Sequence, residues 1–309
     1  MIRALALALA LLVPACAPEA GSDLPTRADA DMTELPPMKV FRSTRALAPV
    51  RSNQNIAADF LSLFFELESG RALPVFTRFE GPITLRVTGR PAPSLNADLT
   101  NLLSRLDREA GIKITRIDEG EASITIHSVN RADIKRALPE AACFVVPNVT
   151  TLNEFRRNRR KAATNWSLLR ERHRLGIFVP NDVAPQELRD CLHEEVAQAL
   201  GPVNDLYRLP DSVFNDDNVH TVLTGFDMLI LKATYAPELY SGMSKSQVAS
   251  HLPRILSRMN PRGDAERPEI LSPTPRSWID DVQVALGPGA GIDARRTAAA
   301  SAARPGIHH

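Results

Sequence analysis

Any fold this chain adopts must solve one problem, posed by the stretch "PQELRDCLHEEVAQALG" from Pro185 to Gly201. At 100° per residue, Leu188, Cys191, Leu192, Val196 and Ala199 line up as the apolar stripe of an amphipathic helix, and Glu195 falls inside that stripe. An unpaired buried carboxylate costs several kcal/mol, so Glu195 must meet a cation, a metal, a set of donors or a raised pKa. Glu194 and Gln198, four apart, share the flank beside it, whereas His193 points to the opposite side and is the residue least suited to join them.

The surrounding pattern predicts where this helix packs. A helix is expected over 55–69, a strand over 82–88, and a helix over 94–110 whose Leu95, Leu99, Leu102, Leu103 and Leu106 keep a 3.6-residue period. Strands are expected over 112–117, 123–129 and 143–147, then a loop holding "RRNRRK" (156–161), then the strand "LGIFVP". Two helices follow, opened by the capping-box spacings Thr224 with Asp227 and Ser244 with Gln247. This order is α+β: a mixed sheet packed on helices, with the Glu195 helix laid against it.

Composition separates the ends from this domain. The opening "MIRALALALALLVPAC" places Arg3 before a short apolar run and ends in "VPAC", which resembles the site where signal cleavage leaves a lipidated cysteine, here Cys16. The expectation is a lipoprotein signal peptide over 1–16, a flexible tether over 17–52, a folded domain over 53–260 and a Pro/Ala-rich tail over 261–309, disordered after 287. Lipidation makes the membrane a partner through Cys16 and places the protein in the periplasm; Ala17 favours the outer membrane over the inner one. A net charge of +1 on 309 residues implies no nucleic-acid partner. In an oxidising compartment the remaining pair, Cys143 and Cys191, is expected to form a disulfide, worth about 3–4 kcal/mol in the chain-entropy model.

Aligned on Gly201, the helix resembles the zinc peptidases of the metzincin group, which read His-Glu-x-x-His-x-x-Gly-x-x-His. Gly201 and Glu195 match the turn and the general base, while Glu194, Gln198 and Asn204 stand at the three histidine positions. Phe214, in "DSVFNDD", stands where that group has the methionine that floors the site. The chain is also similar to an uncharacterised proteobacterial family of secreted or lipidated proteins, domain of unknown function 2927, that looks like a zincin relative. The residues that carry this likeness are Cys191, Leu192, Glu194, Glu195, Gln198, Leu200, Gly201, Asn204 and Asp205, then Ser212 to Asn215, Tyr235, Pro237, Gly242 and Met243. The resemblance implies a zincin-like fold and a degenerate metzincin-type site, and no reaction.

Zinc prefers imidazole and thiolate, and a Glu, Gln, Asn set offers one anionic oxygen and two neutral amides. The leading expectation is therefore no cofactor, with a polar network holding the loop where zinc would crosslink it. The alternatives are zinc, or calcium held by Glu194, Gln198, Asn204 and Asp205 with the loop acids Asp211, Asp216 and Asp217. Function divides in the same way. A zinc-free pseudopeptidase or binding protein, with a cell-envelope protein or peptidoglycan as partner, is the first reading. A metal-dependent hydrolase or peptidase using Glu195 as general base with a non-standard ligand set is the second. "RRNRRK" invites anionic lipid or cell-wall polymer, and His127, His173, His220 and His251 form no metal spacing with one another.

Overall fold

The structure is a computed structural model that describes residues 24–28, 49, 51–206, 208–209, 212–215 and 222–264. Calls on the signal peptide, Cys16, most of the tether and the tail beyond 264 lie outside the described residues.

Strands β1 (Thr26–Ala28), β2 (Ile83–Gly89), β3 (Ile114–Arg116), β4 (Ile124–Val129), β5 (Ala141–Pro147) and β6 (Leu175–Pro180) form one mixed sheet of order β1-β5-β6-β4-β2-β3. β3, β2, β4 and β6 run parallel, while β5 is antiparallel both to β6 and to β1. The helices are α1 (Asn53–Phe65), α2 (Leu95–Arg105), α3 (Arg131–Ala137), α4 (Leu152–Asn158), α5 (Pro185–Leu200), α6 (Gly225–Thr234) and α7 (Lys245–Met259). α2 runs on into a π turn, Leu106–Ala110, closed by Gly111 in the left-handed region at φ 72°. The expected α+β class is borne out. Both capping boxes are present, at Thr224 with Asp227 and at Ser244 with Gln247.

Strand alternation divides the core. On β5, Cys143 and Val145 join the main core beneath α1, α2, α5, α6 and α7, whereas Ala141, Phe144 and Val146 face a second cluster with Ile134 and Ala137 of α3 and Leu152 and Phe155 of α4. Phe144 stacks on Phe178 of β6 at 4.6 Å between centroids. A strand buried on both faces reads as an unbroken apolar run, and "AACFVVP" is one.

Four expectations need correction. Thr26–Ala28, expected as tether, form the edge strand β1 on β5, because the free edge of β5 offers a ladder of backbone donors and acceptors to any extended segment within reach. "RRNRRK" does not begin as a loop: Thr151 caps α4 through the Glu154 amide, and Phe155 anchors that helix on the second cluster. α3 replaces a connection for which no helix was expected. The domain also runs past 260 into a short helical turn, Pro261–Asp264, where Asn53 Nδ2 donates to Asp264 Oδ1 at 2.7 Å.

Candidate functional site

Pro185 at the first helical position starts α5, and two crosslinks hold its first half. The expected disulfide is present: Cys191 is bonded to Cys143 of β5, with Cα atoms 5.9 Å apart. Arg189 Nε donates to Asp98 Oδ1 of α2 at 3.1 Å. From Asp190 to Leu200 every residue of α5 is buried, so this stretch of the helix has no solvated side. The side to which His193 points is therefore protein as well. The residue does point away from Glu194 and Gln198, but into protein: its Nδ1 accepts the Leu223 amide at 3.1 Å. Burial, then the cations of Arg105 and Arg189, hold its imidazole well below its usual value, so it stays neutral. Arg105 donates to the Leu223 carbonyl at 2.9 Å, so both backbone polar groups of that residue are held by side chains.

The inward turn holds Glu194, Glu195 and Gln198, with Glu195 and Gln198 fully buried. The Gln198 amide is unusual, since neither Nε2 nor Oε1 finds a hydrogen-bond partner among the described residues.

One turn later, the C-terminal end of α5 is gripped by a residue that sequence reasoning did not single out. Arg172, in the segment leading to β6, is buried and donates to the carbonyls of Gln198 (2.5 Å), Ala199 (2.8 Å) and Gly201, and to Thr77 Oγ1 (3.2 Å). Its guanidinium lies over the Trp166 ring at 5.1 Å. Burial pulls its pKa down to about 10, which leaves it charged at neutral pH. The last carbonyls of a helix have no intrahelical donors, and a cation there answers both the orphan oxygens and the helix dipole. Tyr235, which caps the C-terminal end of α6, donates its hydroxyl to the Leu200 carbonyl at 3.0 Å. Nothing in "RERHRLG" distinguishes Arg172 from Arg170 or Arg174; the informative signal was an α5 lacking any basic residue in its last turn.

Gly201 was expected to turn the chain. Its φ of −169° suits any residue, and the constraint is space: a Cβ there would lie 2.7 Å from the buried Phe64 ring. Beyond it, α1 holds the chain. Val203 donates to the Leu63 carbonyl at 3.0 Å, and Asn204 Nδ2 to the Ser62 carbonyl at 3.1 Å. Asp59 of α1 pairs with Arg51 at 2.8 Å and with Arg208 at 2.9 Å. Asp205 is half-buried beside Asn204.

Ser212 to Asn215 lie under this loop. Ser212 Oγ donates to Asp227 Oδ1 at 2.5 Å, and the Val213 and Thr224 amides donate to Asp227 Oδ2 at 3.2 and 2.8 Å. Burial nonetheless outweighs these donors and pushes the Asp227 carboxyl up to about 6. Phe214 is fully buried, its carbonyl accepts from the Leu206 amide, and Asn215 Nδ2 donates to the Leu209 carbonyl at 2.6 Å.

Of the residues marked from sequence, α5 brings Glu194, Glu195 and Gln198 together, while Asn204 commits its amide to α1. Asp211, Asp216, Asp217 and His220 lie outside the described residues. Among the described residues no three His, Cys, Asp or Glu side chains converge in a way that could hold a metal ion. A zinc ion fits this set poorly on chemical grounds too, since two of the three positions are neutral amides and one is already spoken for. No step is therefore derived through a metal.

No curated protein matches the chain. A solved structure described as "Structure of Myroilysin" aligns over 79% of this chain and 85% of its own, at 11% identity and a TM-score of 0.24, too slight a likeness to carry an argument. The family comparison is specific: residues 53–254, spanning β2 to β6 and α1 to most of α7, match the family described as "Protein of unknown function (DUF2927)", and the chain belongs to it.

Proposed function

We propose that this is a lipid-anchored cell-envelope protein, held in the periplasm through Cys16, that binds an envelope protein or peptidoglycan on a zincin-like scaffold and does not turn it over. The observation that carries this reading is the grip on the end of α5. Arg172, Tyr235 and Asn204 tie α5 and the following loop to β6, α6 and α1 by hydrogen bonds. The loop thus has an organiser built from protein, where the metzincin-type pattern would have three imidazoles around an ion. The donor set on α5 supports a zinc-free site, and the chain's near-neutral charge supports a partner other than nucleic acid.

A second reading, a metal-dependent hydrolase with Glu195 as general base, is favoured by one observation: the Gln198 amide beside it is buried, with neither polar atom hydrogen-bonded among the described residues. A buried amide without partners costs about 1–3 kcal/mol, and sites that keep such groups often spend them on a ligand.

One experiment separates the two. The mature chain is incubated with a proteome-derived peptide library, with and without zinc or calcium, beside Glu195→Gln. No cleavage above background supports the binding reading. Cleavage that Glu195→Gln abolishes, while its melting temperature is kept, overturns it. Anchoring is read separately, by metabolic labelling with a palmitate analogue that Cys16→Ala should prevent.

A further inference from the structure

The second face of the sheet carries what the α5 site does not explain. Residues 131–161 hold eight Lys and Arg against three Asp and Glu, an excess of five positive charges in a chain whose total is +1. The fold gathers them. α3 and α4 share the second cluster, and Arg136 of α3 and Arg156 of α4 converge on the Asp133 carboxylate, Arg156 at 3.8 Å. Arg159 reaches across to the Ala137 carbonyl at the end of α3, at 3.3 Å. Glu154 is turned inward to Thr150 and Arg174. Lys135, Arg157, Arg160 and Lys161 are exposed around this joint.

The same cluster receives the start of the described chain. Leu24 packs against it and against the main core, and β1 pairs with β5, the strand on which α3 packs. Seven residues lie between Cys16 and Leu24, and the eight Cα steps they span reach no more than about 29 Å at full extension. On the anchoring reading the lead from Cys16 to the folded domain is therefore short, and it ends at the β1 edge next to β5, whose second face carries α3 and α4. A polybasic surface held that close to a bilayer meets its negative surface potential, which decays over a Debye length of about 8–10 Å.

We propose that α3, α4 and the turn after α4 form a docking face for anionic phospholipid headgroups, and that β1 orients the domain by holding this face toward the membrane that carries Cys16. The orientation rests on the anchoring reading above; the affinity of the face does not. Phosphodiester headgroups suit it because guanidinium forks match phosphate oxygens bidentately, and five of the eight cations are clustered at 156–161.

The test uses residues 17–309, which keep every described residue and lack the acylated cysteine, so the face is assayed without the anchor. Co-sedimentation is measured with vesicles of phosphatidylcholine alone and with phosphatidylglycerol added, at low and high salt, for this chain and for Arg157→Gln/Arg160→Gln/Lys161→Gln. The expected result is salt-sensitive binding only to the vesicles with phosphatidylglycerol, weakened at least about tenfold in the triple variant, with an unchanged melting temperature. Equal binding to both vesicles, no binding, or retention on peptidoglycan sacculi that the triple variant abolishes instead would each overturn it. Failure of Cys16 to take up the palmitate analogue while the vesicle result holds removes the anchor and the orientation but leaves the face.

Discussion

The two faces of the sheet are built from alternate residues of the same strand and behave as different materials. Cys143 and Val145 of β5 look toward α5, where Arg172 is buried and spends its Nη donors on the carbonyls that end the helix. Phe144 and Val146 look toward α3 and α4, where arginines stand in solvent and touch backbone only with a fingertip, as Arg159 does. The difference teaches that an arginine's role here follows from what is left unsatisfied around it. A helix end sealed inside protein needs a donor; a helix end at the surface has water.

The comparison breaks most visibly at Arg172. Arg172→Ala should cost about 4 kcal/mol in urea unfolding, because it leaves three buried carbonyls without a charged donor. Arg159→Ala on the other face should cost under about 1 kcal/mol. Replacing both cysteines, Cys143→Ser with Cys191→Ser, should remove about 3–4 kcal/mol by freeing the loop that spans 48 residues. The same measurement on reduced native protein should give the same loss.

Asp227 supplies a pH signature of the α5 face. Its folded pKa of about 6 lies above the ordinary 3.8, so the folded state holds the extra proton between these values. Its contribution to stability is therefore full at acid pH and falls as pH rises through that window, by about 3 kcal/mol in all. Asp227→Asn should flatten this part of the curve in urea titrations run from pH 4 to pH 7. A smaller effect, about 1–3 kcal/mol, is expected from Gly201→Ala, whose methyl would press on Phe64. The smallest is Arg157→Gln/Arg160→Gln/Lys161→Gln, within about 0.5 kcal/mol of the parent by thermal melts, since nothing buried depends on those heads.

Periodicity and turn chemistry made most of the fold readable. The leucine spacing of α2, the alternation of "SITIHSV" and the two capping boxes are local signals, and local signals survive folding unchanged. The disulfide was readable for a different reason, that two cysteines in an oxidising compartment have few choices. Arg172 was hidden because its partners are main-chain carbonyls far away along the chain, which no side-chain pattern records. His193 was half legible: its direction on the helix was right, but the helix wheel gives direction and not what waits there, and α6 with the turn before it waits there. α3 and α4, seven residues each, were too short for periodicity to announce them.

The edge strand sets an order of events as the chain is made. Thr26–Ala28 pair with Phe144 to Ala141, so synthesis from the N-terminus delivers this strand long before its partner exists. Until Ala141–Pro147 has followed and paired with β6, β1 has no ladder to join, and β5 when it arrives has an open edge. The first strand to be made is the last to be placed, and its docking closes that edge.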